Sequence, residues 1–197
     1  NETPTINDTI YFKKVFNAIQ YLINNQKILA GHDISAGGMI TSLLEMTFAE
    51  NQIGLDINLS SIKEKDINKI LFAENAGLLI QVNDDKEVEN YLSQQGITFF
   101  NIGKVNTELH HPKLNLAKDN QKWQFDIDEY RDIWYESSYL LDRQQSGEEK
   151  ALERFDNYKN QALSFIFPDK FTGKKSQYGI SEGKSFGVKA AIIREKG

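Results

Sequence analysis

The spacing of apolar residues along the chain predicts helices alternating with strands. Between Asp8 and Asn25, apolar residues recur every three or four positions, which predicts an amphipathic helix. The next segment, Lys27–His32, is a short apolar run typical of a buried strand. It leads through the glycine-containing stretch Asp33–Gly38 into a second amphipathic helix. That helix carries Met39, Ile40, Leu43, Leu44 and Phe48.

The same analysis extends to about residue 143. Gly54–Leu59 alternates apolar and polar residues, as a half-buried strand does. The further predicted elements are a helix through Ile67–Phe72, strands at Gly77–Val82, Phe99–Val105, Lys113–Ala117 and Gln121–Ile127, and helices over Asp84–Gln95 and Asp128–Arg143. Together these elements predict one layered domain of mixed α and β structure over residues 8–145.

The remainder of the chain has a different composition. Within residues 146–187, Glu148–Gln161 is charged and favours a helix, whereas residues 172–187 are rich in glycine, lysine and serine, which is typical of a flexible linker. Val188–Ile193 resembles the first strand of another domain. Because the chain begins with Asn1 rather than Met and stops at Gly197 inside an apolar run, we expect a piece of a longer protein.

Composition excludes several classes of function. The net charge of −5 leaves no basic surplus for binding nucleic acid through its phosphates, so we expect no nucleic-acid partner. No run of 18 apolar residues occurs, so we expect no membrane span. The chain has no cysteine, which excludes disulfides, cysteine metal ligands and a thiol nucleophile. With no signal-like start, a cytoplasmic location is predicted.

The strongest candidate site is the segment His32–Gly38, between a predicted strand and a predicted helix. Glycines there let the backbone approach a ligand, and a helix N-terminus favours an anion. Asp33 could bind Mg²⁺, a cation that prefers carboxylate oxygens, and the Ser35 hydroxyl could contact phosphate. The same residues also fit a plain glycine turn in which Ser35 caps the helix. The spacing alone leaves both interpretations open.

Other candidate motifs favour structural interpretations. Gly179–Ser185 has three residues between its glycines where a phosphate-binding P-loop needs four. His110 and His111 are neighbours in an extended segment, so their side chains point apart, and a surface turn is the better interpretation. An acidic cluster at a helix start suits the helix dipole, and an aromatic group fits core packing or an inter-domain contact. The first cluster comprises Asp126, Asp128, Glu129 and Asp132, and the second Trp123, Phe125, Tyr130, Trp134 and Tyr135.

Several longer sequence motifs, used here as landmarks along the chain, together resemble one known protein family. The stretch Ile28–Ala49 (I-L-A-G-H-D-I-S-A-G-G-M-I-T-S-L-L-E-M-T-F-A) is followed in order by Gly54–Leu59 and by Leu71–Val82 (L-F-A-E-N-A-G-L-L-I-Q-V). Near the end stands Lys189–Gly197 (K-A-A-I-I-R-E-K-G). This series resembles the C-terminal subdomain of the second synthetase half of phosphoribosylformylglycinamidine synthase, in its long single-chain form, followed by the linker to that family's glutaminase domain and the start of that domain.

The resemblance implies a fold and an activity. The expected fold is α+β, like the C-terminal domain of aminoimidazole ribonucleotide synthetase and partly ferredoxin-like. Residues 8–145 would form that subdomain, 146–187 a helical segment and linker, and 188–197 the truncated start of the glutaminase domain. The family converts formylglycinamide ribonucleotide to its amidine with ATP, Mg²⁺ and ammonia from glutamine. A chain of this extent would be inactive alone, and its partners would be the other subdomains of the same polypeptide.

The resemblance also assigns roles to two residues. Asp33 would bind Mg²⁺ and Ser35 would contact a phosphate of ATP or ADP, at a nucleotide site whose other metal ligands lie in the preceding subdomain. Ala36 stands where the family pattern commonly has Asp, so one carboxylate is missing beside the phosphate. Two alternatives stay open: a non-catalytic interaction domain that uses the aromatic surface, and another ATP-dependent enzyme of the same superfamily.

Overall fold

The computed structural model describes residues 6–107, 111–160 and 166–179. It divides into a unit of residues 1–159, which holds every strand named below, and a unit of residues 160–197. The helices of the first unit are α1 (Thr9–Asn24), α2 (Gly38–Phe48), α3 (Ile67–Phe72), α4 (Asp85–Gln94), α5 (Ile127–Ser146) and α6 (Glu148–Asn157). The strands are β1 (Ile28–Asp33), β2 (Gly54–Asn58), β3 (Leu78–Val82), β4 (Gly103–Asn106), β5 (Lys113–Lys118) and β6 (Gln121–Asp126).

Aspartate side chains fix where several helices begin. Asp8 accepts a hydrogen bond from the Tyr11 backbone N–H and so caps α1. Asp66 and Asp84 cap α3 and α4 in the same way. Asp126 caps α5 by accepting from two backbone N–H groups of the first turn. A capping carboxylate satisfies backbone donors that have no partner inside the helix. Of the acidic cluster predicted at this helix start, Asp126 is therefore the capping residue.

The strands form two separate sheets. β1 and β3 pair antiparallel, with His32 opposite Leu79 and Asp33 opposite Leu78. The other sheet has the order β4-β2-β5-β6, in which β2 and β5 are parallel and the outer pairs antiparallel. Alternating helices and strands in layers confirm the predicted α+β class. A ferredoxin-like arrangement would place the strands in one sheet. Here they are divided between two sheets.

Apolar side chains collect in two clusters. The first cluster lies among α2, α3, the four-stranded sheet and the start of α5, and its most buried members include Leu59, Leu114, Leu116 and Ile127. The second cluster lies between α1 and α4, and its members are Ala18, Leu22, Val88, Leu92 and Ile97. In β3, Leu79 belongs to the first cluster, whereas its neighbour Ile80 packs against the second. Alternation along this strand therefore places the small sheet between the two clusters.

Two strand predictions need correction. The run Lys27–His32 is a strand, but it is not buried: most of β1 is exposed, and Leu29 keeps 58% of its surface accessible. β1 has only β3 beside it among the described residues, so one of its edges lies open. The predicted strand Phe99–Val105 is shorter, because only its second half pairs with β2, as β4. A run of apolar residues indicates a preference for β structure. Whether the strand is buried depends on which other elements pack against it.

α6 packs against α5 within the first unit. The rings of Tyr135 and Tyr158 stack with centroids 4.0 Å apart, and Tyr139 packs on Phe155 at 5.0 Å. Asp132 accepts hydrogen bonds from the Tyr158 hydroxyl at 2.6 Å and from Lys159 Nζ at 2.7 Å. Burial opposes ionisation of Asp132, but these two bonds outweigh it and lower its pKa. The predicted boundary at residues 145 and 146 stays a prediction.

The second unit is described over residues 166–179. There the Phe167 and Phe171 rings stack at 4.8 Å, and Gln177 accepts from the Thr172 backbone. The predicted strand Val188–Ile193 and most of the rejected P-loop candidate lie outside the described residues. Across the part of the chain that is described, no helix is long and apolar enough to cross a membrane.

Candidate functional site

The turn between β1 and α2 holds the residues that the sequence singled out. β1 ends with Asp33 and α2 begins with Gly38, so the turn residues are 34–37. The Ile34 backbone N–H donates to the Gly77 carbonyl at 2.9 Å, which ties the turn to the segment before β3. Gly37 has φ +84° and Gly38 φ +74°, a backbone conformation that favours glycine. The two adjacent glycines are therefore required by the sharp entry into α2.

Asp33 presents its carboxylate to solvent while its backbone is fixed. The side chain is 74% exposed, at the end of β1. Its carbonyl oxygen accepts a hydrogen bond from the buried Ser42 hydroxyl at 3.1 Å and lies 2.6 Å from His32 Nδ1. This exposed carboxylate, whose Oδ1 lies 3.8 Å from His32 Nδ1, can serve as an oxygen ligand for a hard cation such as Mg²⁺.

Ser35 is exposed in the turn and does not cap α2. The residue at the cap position is Gly37, which makes no side-chain capping bond. The Ser35 carbonyl, rather than its hydroxyl, accepts from the Gly38 N–H at 3.0 Å. The alternative interpretation of Ser35 as a helix cap is therefore wrong, because the chain makes an extra glycine turn before the helix starts. Its hydroxyl stays available to a ligand at the surface.

Glu74 belongs to this turn, and the sequence did not single it out as a site residue. Its Oε1 accepts from the Gly37 backbone N–H at 2.9 Å, across 37 positions of sequence. The carboxylate thus lies beside the peptide bond that joins Ala36 to Gly37. The motif Leu71–Val82 marked the segment, but nothing in its spacing shows that the loop after α3 folds back onto this turn. Only the packing of α3 against α2 brings the two together.

His32 and Glu45 connect the turn to the helices. His32 Nε2 lies 3.2 Å from Glu45 Oε2, on α2. The other carboxylate oxygen of Glu45 accepts from the Trp134 indole N–H, on α5, at 2.9 Å. The His32–Glu45–Trp134 group therefore joins β1, α2 and α5. Trp134 also packs against Phe48, with ring centroids 5.7 Å apart, so this aromatic residue is part of the domain's own packing.

The described residues do not complete a metal site by themselves. Within the described ranges, no group of three or more His, Asp or Glu side chains is placed to hold a metal ion. Mg²⁺ needs about six oxygen ligands, some of which are usually water or substrate phosphate. Asp33 can supply one carboxylate to such an ion, and within the described ranges it is not joined by two further His, Asp or Glu ligands. The geometry therefore fits part of a Mg²⁺ site and not a whole one.

The other histidine candidate was the pair His110 and His111, and its described member, His111, lies in a surface turn. His111 is exposed in a bend with φ +57°, beside the buried Pro112, as expected of a surface turn. Its neighbour His110 lies outside the described residues.

The outer face of the four-stranded sheet carries a polar row that the sequence did not predict. Lys113 Nζ donates to Gln124, Gln124 to Asn115, and Asn115 to Asp56, at 3.0, 2.8 and 2.8 Å. The bonds from Asn115 and then Asn106 lower the pKa of Asp56. Asp56, Asn115 and Gln124 border an open groove of about 580 Å³. Lys113, Gln124, Asn115 and Asp56 hydrogen-bond to one another across the strands, which favours a role in fixing the strand register over a role in ligand binding.

The fold and this turn belong to one known class of domain. The family model "AIR synthase related protein, C-terminal domain" matches residues 1–111, more than half of the chain. The chain belongs to this family.

A curated relative extends the likeness over the whole chain. The chain is 32% identical over 210 aligned residues to the probable phosphoribosylformylglycinamidine synthase, chloroplastic/mitochondrial, of Arabidopsis thaliana. The alignment covers 100% of the chain and 14% of that relative, so the chain spans about one seventh of the relative's length. The resemblance predicted from the sequence landmarks is confirmed.

Two solved structures share the fold. PurLQS from Thermotoga maritima superposes with a TM-score of 0.55 at 14% identity, over 64% of the chain and 22% of that structure's chain. T. maritima PurL complexed with ATP gives a TM-score of 0.51 at 14% identity, over 59% and 21%. At this identity the likeness concerns the fold, and it confirms the predicted α+β arrangement.

Proposed function

We propose that the chain is part of a phosphoribosylformylglycinamidine synthase, the ATP-dependent ligase that converts formylglycinamide ribonucleotide and glutamine to formylglycinamidine ribonucleotide in purine biosynthesis. The observation that carries this proposal is the 32% identity over the whole chain to a synthase of this name. Because the chain spans 14% of that relative, it would contribute one subdomain of a larger enzyme and be inactive alone.

Asp33 and Ser35 would contribute to a Mg²⁺-nucleotide site at the surface of this subdomain. Asp33 offers an exposed carboxylate to the cation, and the exposed Ser35 hydroxyl can donate to a phosphate oxygen. Within the described residues, the backbone N–H groups of Ser35 and Ala36 have no hydrogen-bond acceptor, so they can also face an anion. When bound, Mg²⁺ would neutralise phosphate charge. The structure complexed with ATP among the fold neighbours supports a nucleotide ligand.

The partners and the location follow from the same proposal. The missing ligands would come from another subdomain of the same polypeptide, and the segment after residue 187 would lead into a glutaminase domain. The open edge of β1 and its exposed Leu29 leave room for such a neighbouring subdomain. We propose a cytoplasmic location, although the Arabidopsis relative carries the description chloroplastic/mitochondrial.

The decisive experiment uses the complete protein that contains this chain. It should form formylglycinamidine ribonucleotide from formylglycinamide ribonucleotide, ATP and glutamine, and retain nucleotide after purification. The Asp33→Asn variant should retain at least several-fold less nucleotide by mass spectrometry, because a hard cation loses a charged ligand. Asp119→Asn is the matched control, since Asp119 is exposed in the β5–β6 turn with φ +52°, which Asn tolerates.

Two results would contradict the proposal. A complete protein that neither forms the amidine nor hydrolyses ATP with this substrate would rule out the synthase assignment. Equal nucleotide content in wild type and Asp33→Asn would remove Asp33 from the site while leaving the synthase assignment intact. The isolated 197-residue chain should hydrolyse no ATP above background, and turnover by it would show that the site is not divided between subdomains.

A further inference from the structure

Glu45 lies where three elements meet. Its Oε2 is 3.2 Å from His32 Nε2 on β1, and its Oε1 accepts from the Trp134 indole N–H on α5 at 2.9 Å. The Glu45 side chain is only 25% exposed, so water competes weakly for these contacts. One carboxylate on α2 therefore holds a side chain from each of two neighbouring elements.

The contact at His32 continues to Asp33. The other ring nitrogen, Nδ1, lies 2.6 Å from the Asp33 carbonyl oxygen. With polar partners at both nitrogens, the imidazole ring cannot rotate without breaking one of the two contacts. The same carbonyl accepts from the Ser42 hydroxyl, which lies one turn before Glu45 on α2. The backbone of Asp33 is thus fixed from α2 directly and from α5 through Trp134, Glu45 and His32.

We propose that Glu45 is a positioning residue, which holds the Asp33 turn in register with α5 through His32 and Trp134. Neither oxygen of Glu45 reaches the turn itself, so its effect passes through the His32 ring. That Asp33 has a ligand to bind rests on the proposed function, whereas the coupling of α5 to the turn does not. Residues hydrogen-bonded to a metal-binding residue commonly tune its affinity, and Glu45 would act one contact further out, through His32.

The coupling can be measured by nuclear magnetic resonance on the ligand-free 197-residue chain. The chain has two tryptophans, so Trp134 gives one of two indole N–H signals. Glu45→Leu should shift that signal and the backbone amide signals of residues 32–35. Glu45→Gln should largely restore both, because Gln keeps an acceptor for the indole and an amide group for the ring. Trp134→Phe should also shift the amide signals of residues 32–35.

Glu136→Leu is the matched control, since Glu136 is an exposed glutamate on α5 two residues from Trp134. It should leave the amide signals of residues 32–35 unchanged. The proposal is overturned when Glu45→Leu moves only signals of its α2 neighbours, or when Glu45→Gln disturbs the turn as much as Glu45→Leu does.

A second measurement separates this proposal from the proposed function. In the complete protein, Glu45→Leu should weaken nucleotide retention about tenfold, with Glu45→Gln close to wild type. Unchanged retention in Glu45→Leu overturns the positioning role even where the signals of the turn have shifted. A wild-type protein that binds no nucleotide contradicts the proposed function alone, and the resonance shifts then decide the coupling.

Discussion

Arg131 shows how one side chain can decide the packing of two helices. It lies on α5 with only 1% of its surface exposed. Its Nη1 donates to Asn51 at 2.7 Å and pairs with Asp128 at 3.0 Å, and Nη2 donates to the Glu50 carbonyl at 3.1 Å. Glu50 follows the C-terminal end of α2, where a cation is favoured by the helix dipole. The buried charge is therefore compensated from several sides.

Replacing Arg131 should lower the free energy of unfolding substantially. Arg131→Met keeps the apolar stem but leaves carbonyl and amide oxygens without their donor, so we expect the free energy of unfolding to fall by about 2–4 kcal/mol. Urea denaturation followed by circular dichroism measures the change. Arg143→Met is the control: Arg143 makes an exposed ion pair with Glu148, and its loss should cost under about 1 kcal/mol. Equal losses in the two variants would contradict this account of Arg131.

At the scale of elements, the start of α2 depends on how closely α3 approaches it. A Cβ atom added at Gly38 would lie 2.5 Å from the Leu71 carbonyl oxygen and 2.7 Å from Phe72 Cα. Both neighbours are backbone atoms and cannot swing away as the end of a side chain can. The glycine therefore allows the end of α3 to approach the turn, and the loop that follows α3 brings Glu74 to it.

Gly38→Ala tests this close approach. It combines an unfavourable positive φ with a backbone clash, so we expect a loss of about 3 kcal/mol or more in the free energy of unfolding. Gly96→Ala serves as the control, because Gly96 also has a positive φ of +60° but meets only the flexible Lys14 side chain at 3.5 Å. It should cost about 1 kcal/mol. Similar losses in the two variants would show that the α2–α3 contact is not tight.

At the scale of the whole first unit, the two apolar clusters are separated by the sheet of β1 and β3. Leu79 and Ile80, adjacent in β3, pack against different clusters, so this strand takes part in both. Both tryptophans of the chain lie on the side of the first cluster: Trp123 packs against it directly, and Trp134 contacts Phe48, which does so too. Tryptophan fluorescence therefore reports on the first cluster. It can show whether a substitution in the second cluster also changes the unfolding of the first.

Leu22→Ala tests whether the clusters unfold together. Leu22 is 2% exposed in the second cluster, so its truncation should cost about 2–4 kcal/mol. Because β3 connects the clusters, the fluorescence midpoint in urea should move as far as the circular dichroism midpoint. The exposed Leu29 provides the control, since Leu29→Ala should change either midpoint little. A fluorescence midpoint that stays at the wild-type value would show that the clusters unfold independently.

The sequence by itself determined the elements and their kind. Apolar spacing predicted the bounds of α1 and α4 to within one residue, because helix periodicity and aspartate caps are local properties. The sequence also predicted the turn with Asp33 and Ser35, since two adjacent glycines between a predicted strand and a predicted helix favour a turn. The order of the landmarks then sufficed to predict the family.

Only the tertiary structure decided what surrounds those residues. It placed Glu74 on the Gly37 N–H, Glu45 between His32 and Trp134, and Arg131 against the end of α2, across 13 to 89 positions of sequence. It also left β1 exposed, although its composition is that of a buried strand. Residue type and spacing determine local backbone preference, whereas burial and long-range hydrogen bonds depend on which elements pack together. That packing is a property of the whole fold and leaves no periodic pattern in the chain.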